Sequence, residues 1–421
     1  MKNQKAIFFL FLANTVSGIA QGISMIAIPW HFTSVLGMPA FFGVLYASIT
    51  FLSLFWGLLA GSIIDKYNRK RIFMALCATG SIILLSVSIS GYMAGGIHYY
   101  LAALVFATTY FVYSIHYPNL YAFAQEITEP HQYGKITSYI EIQGQMTNML
   151  GGGMAALLLA GPDLGSLELF GTDLNWPFTI QKWDLHEIFM LDGITYVLAF
   201  VLISMMKYQR IAGKEKEEGS IMVRIQYGLN YLMQHKIIFL FGVSTFAVFV
   251  TVLVIGFYIA PIYINNHLGG GAGVYAISDG FFAFGAILAG IGIHWVLKKT
   301  HSVVAIITMS LLTAGFYFYF IENTNILIFF IGLFFIGMSN AGIRILRMTW
   351  LFENIPNNVI GRTGSVFGMT NVLFRLILIS LFTAPFFTNE NNVIYTFLIM
   401  GAFILCSIIP QLLYYKKLIR S

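Results

Sequence analysis

Apolar runs of roughly 20 residues recur along the chain between short polar breaks, and each is long enough to cross a hydrocarbon layer of about 30 Å as a helix. Twelve are counted, at residues 6–32, 40–64, 71–93, 101–124, 138–160, 188–206, 237–263, 275–297, 302–321, 326–350, 364–386 and 393–415. Apolar residues are continuous within a run. That predicts helices, because a membrane barrel would show alternating segments of about ten residues. The expected fold class is an all-α integral membrane protein with twelve transmembrane helices.

The longest charged break, "KYQRIAGKEKEEGSIMVRIQYGLNYLMQHK" from Lys207 to Lys236, separates six runs from six. It divides the chain into an N-terminal half at 1–206, a partly helical linker at 207–236 and a C-terminal half at 237–421. An internal repeat agrees with this division: a shift of 227 residues lays Glu126, Gly134 and Lys135 over Glu353, Gly361 and Arg362, just past spans 4 and 10. Two pseudo-symmetric six-helix halves follow. The other long break, 161–187, carries Trp176, Trp183, Pro162 and Pro177 and is expected to fold back as a hairpin at the membrane surface, a candidate gate.

Composition supports the membrane reading. The chain is 58% hydrophobic and 10% charged, with mean hydropathy +0.79, against about 25% charged in soluble domains. Its net charge of +6 would suit nucleic acid, so the positions of the 23 Lys and Arg must decide. With the N-terminus inside, nineteen fall on the inner side, only Lys182 on the outer side, and Arg344, Arg347 and Arg375 within spans. This is the positive-inside bias of a chain with both termini cytoplasmic. Nucleic acid is thereby excluded as a partner, and the expected location is the cell (inner, cytoplasmic) membrane, with the bilayer itself and a small-molecule substrate as partners and a monomer as the working unit. Lys2 and Lys5 ahead of the first run mimic a signal peptide, but the run is long, contains Asn14 and Gln21 and lacks a small-residue cleavage site, so it is read as span 1. Cys77 and Cys406 lie in spans and give neither a disulfide framework nor a zinc spacing.

The turn between spans 2 and 3, "GSIIDKYNRKR", resembles the signature loop of the major facilitator superfamily through Gly61, Asp65, Lys66, Arg69 and Lys70, with Asn68 where the family has a second Gly. Asn tolerates the left-handed backbone next best. Lys66 in place of Arg turns a bidentate contact into a point charge. The resemblance implies a conformational latch, in which Asp65 and the cations pair with helix ends or acidic groups across the two halves in one state only. The second-half counterpart, "GIHWVLKKTH", keeps Gly292, Lys298 and Lys299 without an Asp. "LDGITYVLAFVLI", "GLNYLMQHKIIFLF" and "NVIGRTGSVFG" are similar to the branch that includes macrolide-efflux proteins and the enterobactin exporter. This implies alternating access, with substrate between the halves, and export driven by proton entry. Span 5 departs from the Gly-Pro signature of many antiporters, having "GQMTNMLGGGMAALLLAG" instead.

Ionisable and polar side chains inside spans are costly and mark function by default. On span 5, Glu141, Gln145 and Asn148 share one helical face. Glu141 lies six residues past Lys135, about 9 Å into the membrane. It is the first proton-coupling candidate, with Asp192 and Asp279 second. Arg344 on span 10 and Arg375 on span 11 are deep cations that suit an anionic or acceptor-rich substrate, whereas Arg347 lies nearer the cytoplasmic end and is expected to snorkel. Span 1 adds the stripe Asn14, Ser17, Gln21, Ser24. By the resemblance, spans 1, 4, 7 and 10 line the cavity; span 4 supplies Tyr113, His116 and Tyr117, and span 7 supplies Thr251 and Tyr258.

The nine His show no ligand spacing, and neither a Walker A motif nor HExxH is present. No metal and no cofactor is expected, an ion gradient is the natural energy source, and the chain is read as a transporter rather than an enzyme. The expected function is proton-antiport export of a small amphipathic or anionic molecule, drug-like or a siderophore. An importer and a non-transporting membrane sensor on the same scaffold are the alternatives.

Overall fold

A computed structural model of the chain describes residues 3–161, 168–169, 172–173, 181–209, 211, 221–389 and 391–420. Its elements are α1 (Gln4–Trp30), α2 (Pro39–Lys66), α3 (Arg69–Ala94), α4 (Tyr99–Ile127), α5 (Tyr133–Ala160), α6 (Leu185–Met205), α7 (Ile221–Gln234), α8 (Lys236–Ser244), α9 (Ala247–Val254), α10 (Ala260–Asn266), α11 (Ala272–Lys299), α12 (Ser302–Phe320), α13 (Ile326–Asn354), α14 (Asn357–Phe382), α15 (Pro385–Thr388), α16 (Ile394–Leu413) and α17 (Tyr415–Arg420). A two-residue antiparallel pair, β1 (Glu168–Leu169) with β2 (Thr172–Asp173), is all that the described residues show of the expected surface hairpin. In the linker Ile221–Gln234 form the helix α7, while 207–209 and 211 are described as non-helical.

Among the described residues, ten helical segments are long and apolar enough to cross a membrane. The remaining two of the expected twelve, α4 and α5, are as long at 29 and 28 residues. They are more polar, since α4 carries Gln125 and Glu126 in its last turn and α5 carries Lys135, Glu141, Gln143, Gln145 and Asn148. The expected spans thus become helices, and α4 and α5 together hold six of the candidate residues, Tyr113, His116, Tyr117, Glu141, Gln145 and Asn148.

Helix ends follow from local sequence. Asn68 caps α3 by accepting from the Arg71 amide, Asn325 caps α13, and Asp184 with Glu187 forms a reciprocal capping box on α6. The first helix of each half is not regular. Span 1 closes on a π-helical turn, His31–Val35, in which the Leu36 amide bonds to the His31 carbonyl and the Thr33 hydroxyl donates to the Pro29 carbonyl at 2.8 Å. Span 7 is three pieces: α8 and α9 are separated at Thr245–Phe246, and a second π turn, Ile255–Ile259, precedes α10. Such interruptions often coincide with functional sites.

The helices gather into two compact units. One comprises Met1–Gly37, Leu52–Glu217 and Tyr275–Gly280; the other comprises Met38–Phe51, Glu218–Val274 and Phe281–Ser421. In the first unit α1 packs on α5 and α6, and α3 on α4 and α6. In the second, α12 packs on α13 and α16, and α14 on α7 and α9. There Gly43 lies so close to the Tyr258 hydroxyl and to Thr383 that a side chain could not be added without displacing them.

The run Gly151–Gly153 illustrates how the first unit closes. A Cβ on Gly151 would meet the Ile19 carbonyl at 3.1 Å, and one on Gly152 would meet the Ala276 carbonyl at 3.2 Å, whereas Gly153 has nothing within 4 Å. Close backbone approach is what small residues permit in membrane helices. Gly151→Ala should therefore lower stability by about 1 kcal/mol against a rigid backbone neighbour, while Gly153→Ala should raise it by up to about 1 kcal/mol through helix propensity. Unfolding in mixed micelles checks the sign of both.

Candidate transport site

The first unit holds a hydrogen-bonded relay across three helices. The Gln143 amide nitrogen donates to the Phe11 carbonyl at 2.6 Å and to the Thr15 hydroxyl. Its oxygen accepts from Asn14 Nδ2 at 3.0 Å, and Asn14 Oδ1 lies 2.7 Å from His116 Nε2. A backbone carbonyl can only accept. The Phe11 carbonyl therefore orients Gln143, Gln143 orients Asn14, and His116 must carry its proton on Nε2. The imidazole is held from the other side by an edge contact with Phe73, ring centroids 5.1 Å apart. An open groove of about 550 Å³ runs between α1 and α5, with Gln143, Thr15 and Thr147 set among Phe8, Ile142 and Met146.

Two residues before Gln143, the same helix presents Glu141 to α4, where Tyr121 donates to its carboxylate at 2.7 Å. Tyr113, Tyr117 and Tyr121 recur at four-residue spacing, with the first two rings 4.6 Å apart. Gln145 is half-buried and Asn148 exposed. Asp192 is fully buried; Ser24 donates to its Oδ2 at 2.6 Å, and its Oδ1 has no partner among the described residues. Asp279 is half-buried on α11 with Oδ2 against Gly152. Gln21 is half-buried and its amide nitrogen has no partner among the described residues.

At the end of the first unit that carries the basic loop, Arg69 and Glu126 form a buried ion pair at 2.8 Å, with side chains 9% and 6% exposed. Arg69 also donates to the Ala122 carbonyl, and Asn119 donates to the Arg69 carbonyl. Lys70 donates to the Ser204 and Met206 carbonyls at the end of α6. Lys66 and Gly61 are exposed. The Asp65 side chain lies outside the described residues, and Arg69 and Lys70 engage partners of their own half.

In the second unit Arg347 is 4% exposed. One of its terminal nitrogens donates to the Thr245 carbonyl at 3.1 Å, in the break between α8 and α9, and the guanidinium lies 3.6 Å from the Phe246 ring centre. The expectation that it snorkels is thus corrected: the break in span 7 supplies a carbonyl and a ring inside the unit, so the side chain has no need to reach water. Arg344 is exposed and Arg375 buried. Tyr258 is fully buried and donates to the Phe382 carbonyl. Thr251 is fully buried and shares a hydrogen bond with the Tyr317 hydroxyl. Among the described residues no group of three or more His, Cys, Asp or Glu is placed to hold a metal.

A sequence model of the Major Facilitator Superfamily matches residues 10–379. The chain belongs to that superfamily. No curated protein sequence matches it detectably. Solved structures share its fold at low identity. A bacterial homologue of the iron transporter ferroportin in an inward-facing state has a TM-score of 0.72 at 13% identity, with 98% of this chain and 99% of that one covered. The nucleoside transporter NupG has 0.68 at 12%, covering 98% and 99%. A D-xylose-proton symporter has 0.66 at 14%, covering 96% and 97%. These likenesses agree with the major facilitator fold that the family match implies.

Within this major facilitator chain, the structure joins Asn14 and His116 and brings Tyr117 beside α5, its hydroxyl 3.3 Å from where a Gly144 Cβ would stand. It sets Asp192 against Ser24, apart from the relay. Sequence reasoning missed Gln143, Thr15, Tyr121 and Glu126. A signal for the first was present: Gln143, Thr147 and Gly151 repeat at four-residue spacing on the face of α5 that packs against α1.

Proposed function

We propose that the chain is a proton-coupled exporter of a small organic molecule, amphipathic or anionic, across the cytoplasmic membrane, with both termini inside and two six-helix halves alternating access. The observation that carries this reading is the Tyr121–Glu141 hydrogen bond, a carboxyl held between α4 and α5. A carboxyl so held can take a proton on one face of the membrane and release it on the other as the halves exchange. In the cycle, substrate enters from the cytoplasm and leaves outside as Glu141 takes a proton; the return step delivers that proton inside. Export is favoured by the likeness of spans 6, 7 and 11 to the macrolide-efflux and enterobactin-exporter branch.

The test is accumulation of labelled drugs and of citrate- and catecholate-type siderophores in inverted vesicles, with and without a pH gradient. Gradient-driven accumulation should occur in the wild type and fall at least tenfold in Glu141→Gln. Accumulation untouched by that change would move the proton to Asp192 or Asp279, and gradient-driven loss from preloaded inverted vesicles would make the chain an importer.

A further inference from the structure

We infer that Arg347 and Asn371 form the seat of a carboxylate or sulfonate group on the transported molecule; this rests on the transport reading and names its substrate class. Arg347 is 4% exposed and its Nε has no acceptor among the described residues. Asn371 on α14 is 5% exposed, and its Nδ2 likewise has none. Two neighbouring rings link them. Phe246 lies under the Arg347 guanidinium, and its ring centre is 6.2 Å from that of Phe367, one helical turn before Asn371. One buried donor thus sits over the first ring, and the other follows the second ring by one helical turn on α14.

A buried donor without an acceptor costs roughly 1–3 kcal/mol, more when charged, so the pair is best explained by an acceptor that arrives from outside the chain. The charge inventory says which kind. Segments 236–266, 302–320, 357–382 and 394–413 contain no Asp or Glu, and α13 has only Glu353, six residues beyond Arg347 and exposed. The same helices carry Arg344, three residues before Arg347, and Arg375, one turn beyond Asn371. Cations three apart on one helix repel each other, and an anion between them and Asn371 relieves that repulsion. With one terminal nitrogen committed to Thr245, the Nε edge of the fork remains, and two coplanar oxygens match such an edge. Phe246 and Phe367 supply an aromatic wall for the organic body of the molecule.

Three matched fluorescent probes test this on the purified full chain in nanodiscs without any gradient: dansylglycine (anionic), dansylamide (neutral) and monodansylcadaverine (cationic). Dansylglycine should bind saturably and at least tenfold more tightly than the other two. Arg347→Gln should abolish that preference, Arg347→Lys should keep part of it, and Asn371→Leu should weaken dansylglycine severalfold without lowering the melting temperature. No saturable dansylglycine binding up to about 1 mM, equal affinity for all three probes, or a preference that survives Arg347→Gln would overturn the assignment. Should Arg347→Gln not fold, the wild-type preference and Asn371→Leu decide. An anion preference without gradient-driven accumulation in vesicles would retain this site and remove the export reading. Accumulation without the preference would do the reverse.

Discussion

Arg69→Ala should destabilise the chain by about 3–5 kcal/mol, and Glu126→Ala by a similar amount, because each leaves the other charge buried and unpaired. The two side chains are 9% and 6% exposed and meet at 2.8 Å. Arg69 also closes the Ala122 carbonyl, and Tyr208 lies at 3.5 Å from the other Glu126 oxygen. At that burial, water cannot replace either partner. The double change Arg69→Met with Glu126→Leu should therefore recover most of the loss, since removing both ions also removes both desolvation costs. Lys70→Ala is the control. Lys70 only touches the carbonyls that end α6, an exposed dipole contact worth about 0.3–1 kcal/mol. Unfolding of the four variants in mixed micelles separates the cases: a loss below about 1 kcal/mol for Arg69→Ala would mean that the pair behaves as an exposed surface bridge.

This pair also shows where the sequence could be read and where it could not. The signature turn placed Arg69 at a membrane boundary with a special role, and hydropathy placed nearly every helix, because both are properties of contiguous residues. The partner Glu126 is 57 residues away on α4, and only the packing of α3 on α4 brings it to hand. Gln143 was overlooked for the same reason. Span 5 offers two regular polar faces, and the choice of Glu141, Gln145 and Asn148 over Gln143 and Thr147 required knowing which side meets α1. Arg347 was judged by its nearness to the cytoplasmic end of span 10. Its burial depends on a break in span 7 at Thr245–Phe246, where a continuous apolar run gives no sign of interruption.

Gln143→Leu should cost about 1–3 kcal/mol through the Asn14 amide left without an acceptor, and it should abolish substrate accumulation in the vesicle assay by freeing α1 from α5. In a double-mutant cycle with Asn14→Leu the two changes should be coupled by about 0.5–3 kcal/mol, since each removes the other's partner. Independent losses that simply add would mean that the amides do not meet. The direction of the relay can be checked without any substitution. Gln143 donates to the Phe11 carbonyl, so its oxygen receives Asn14, the Asn14 oxygen receives His116, and ¹⁵N spectra should show His116 protonated on Nε2. Protonation on Nδ1 alone would require both amides to be reversed. Gln143 would then set its own oxygen 2.6 Å from a carbonyl oxygen that can only accept, a contact without a proton to share.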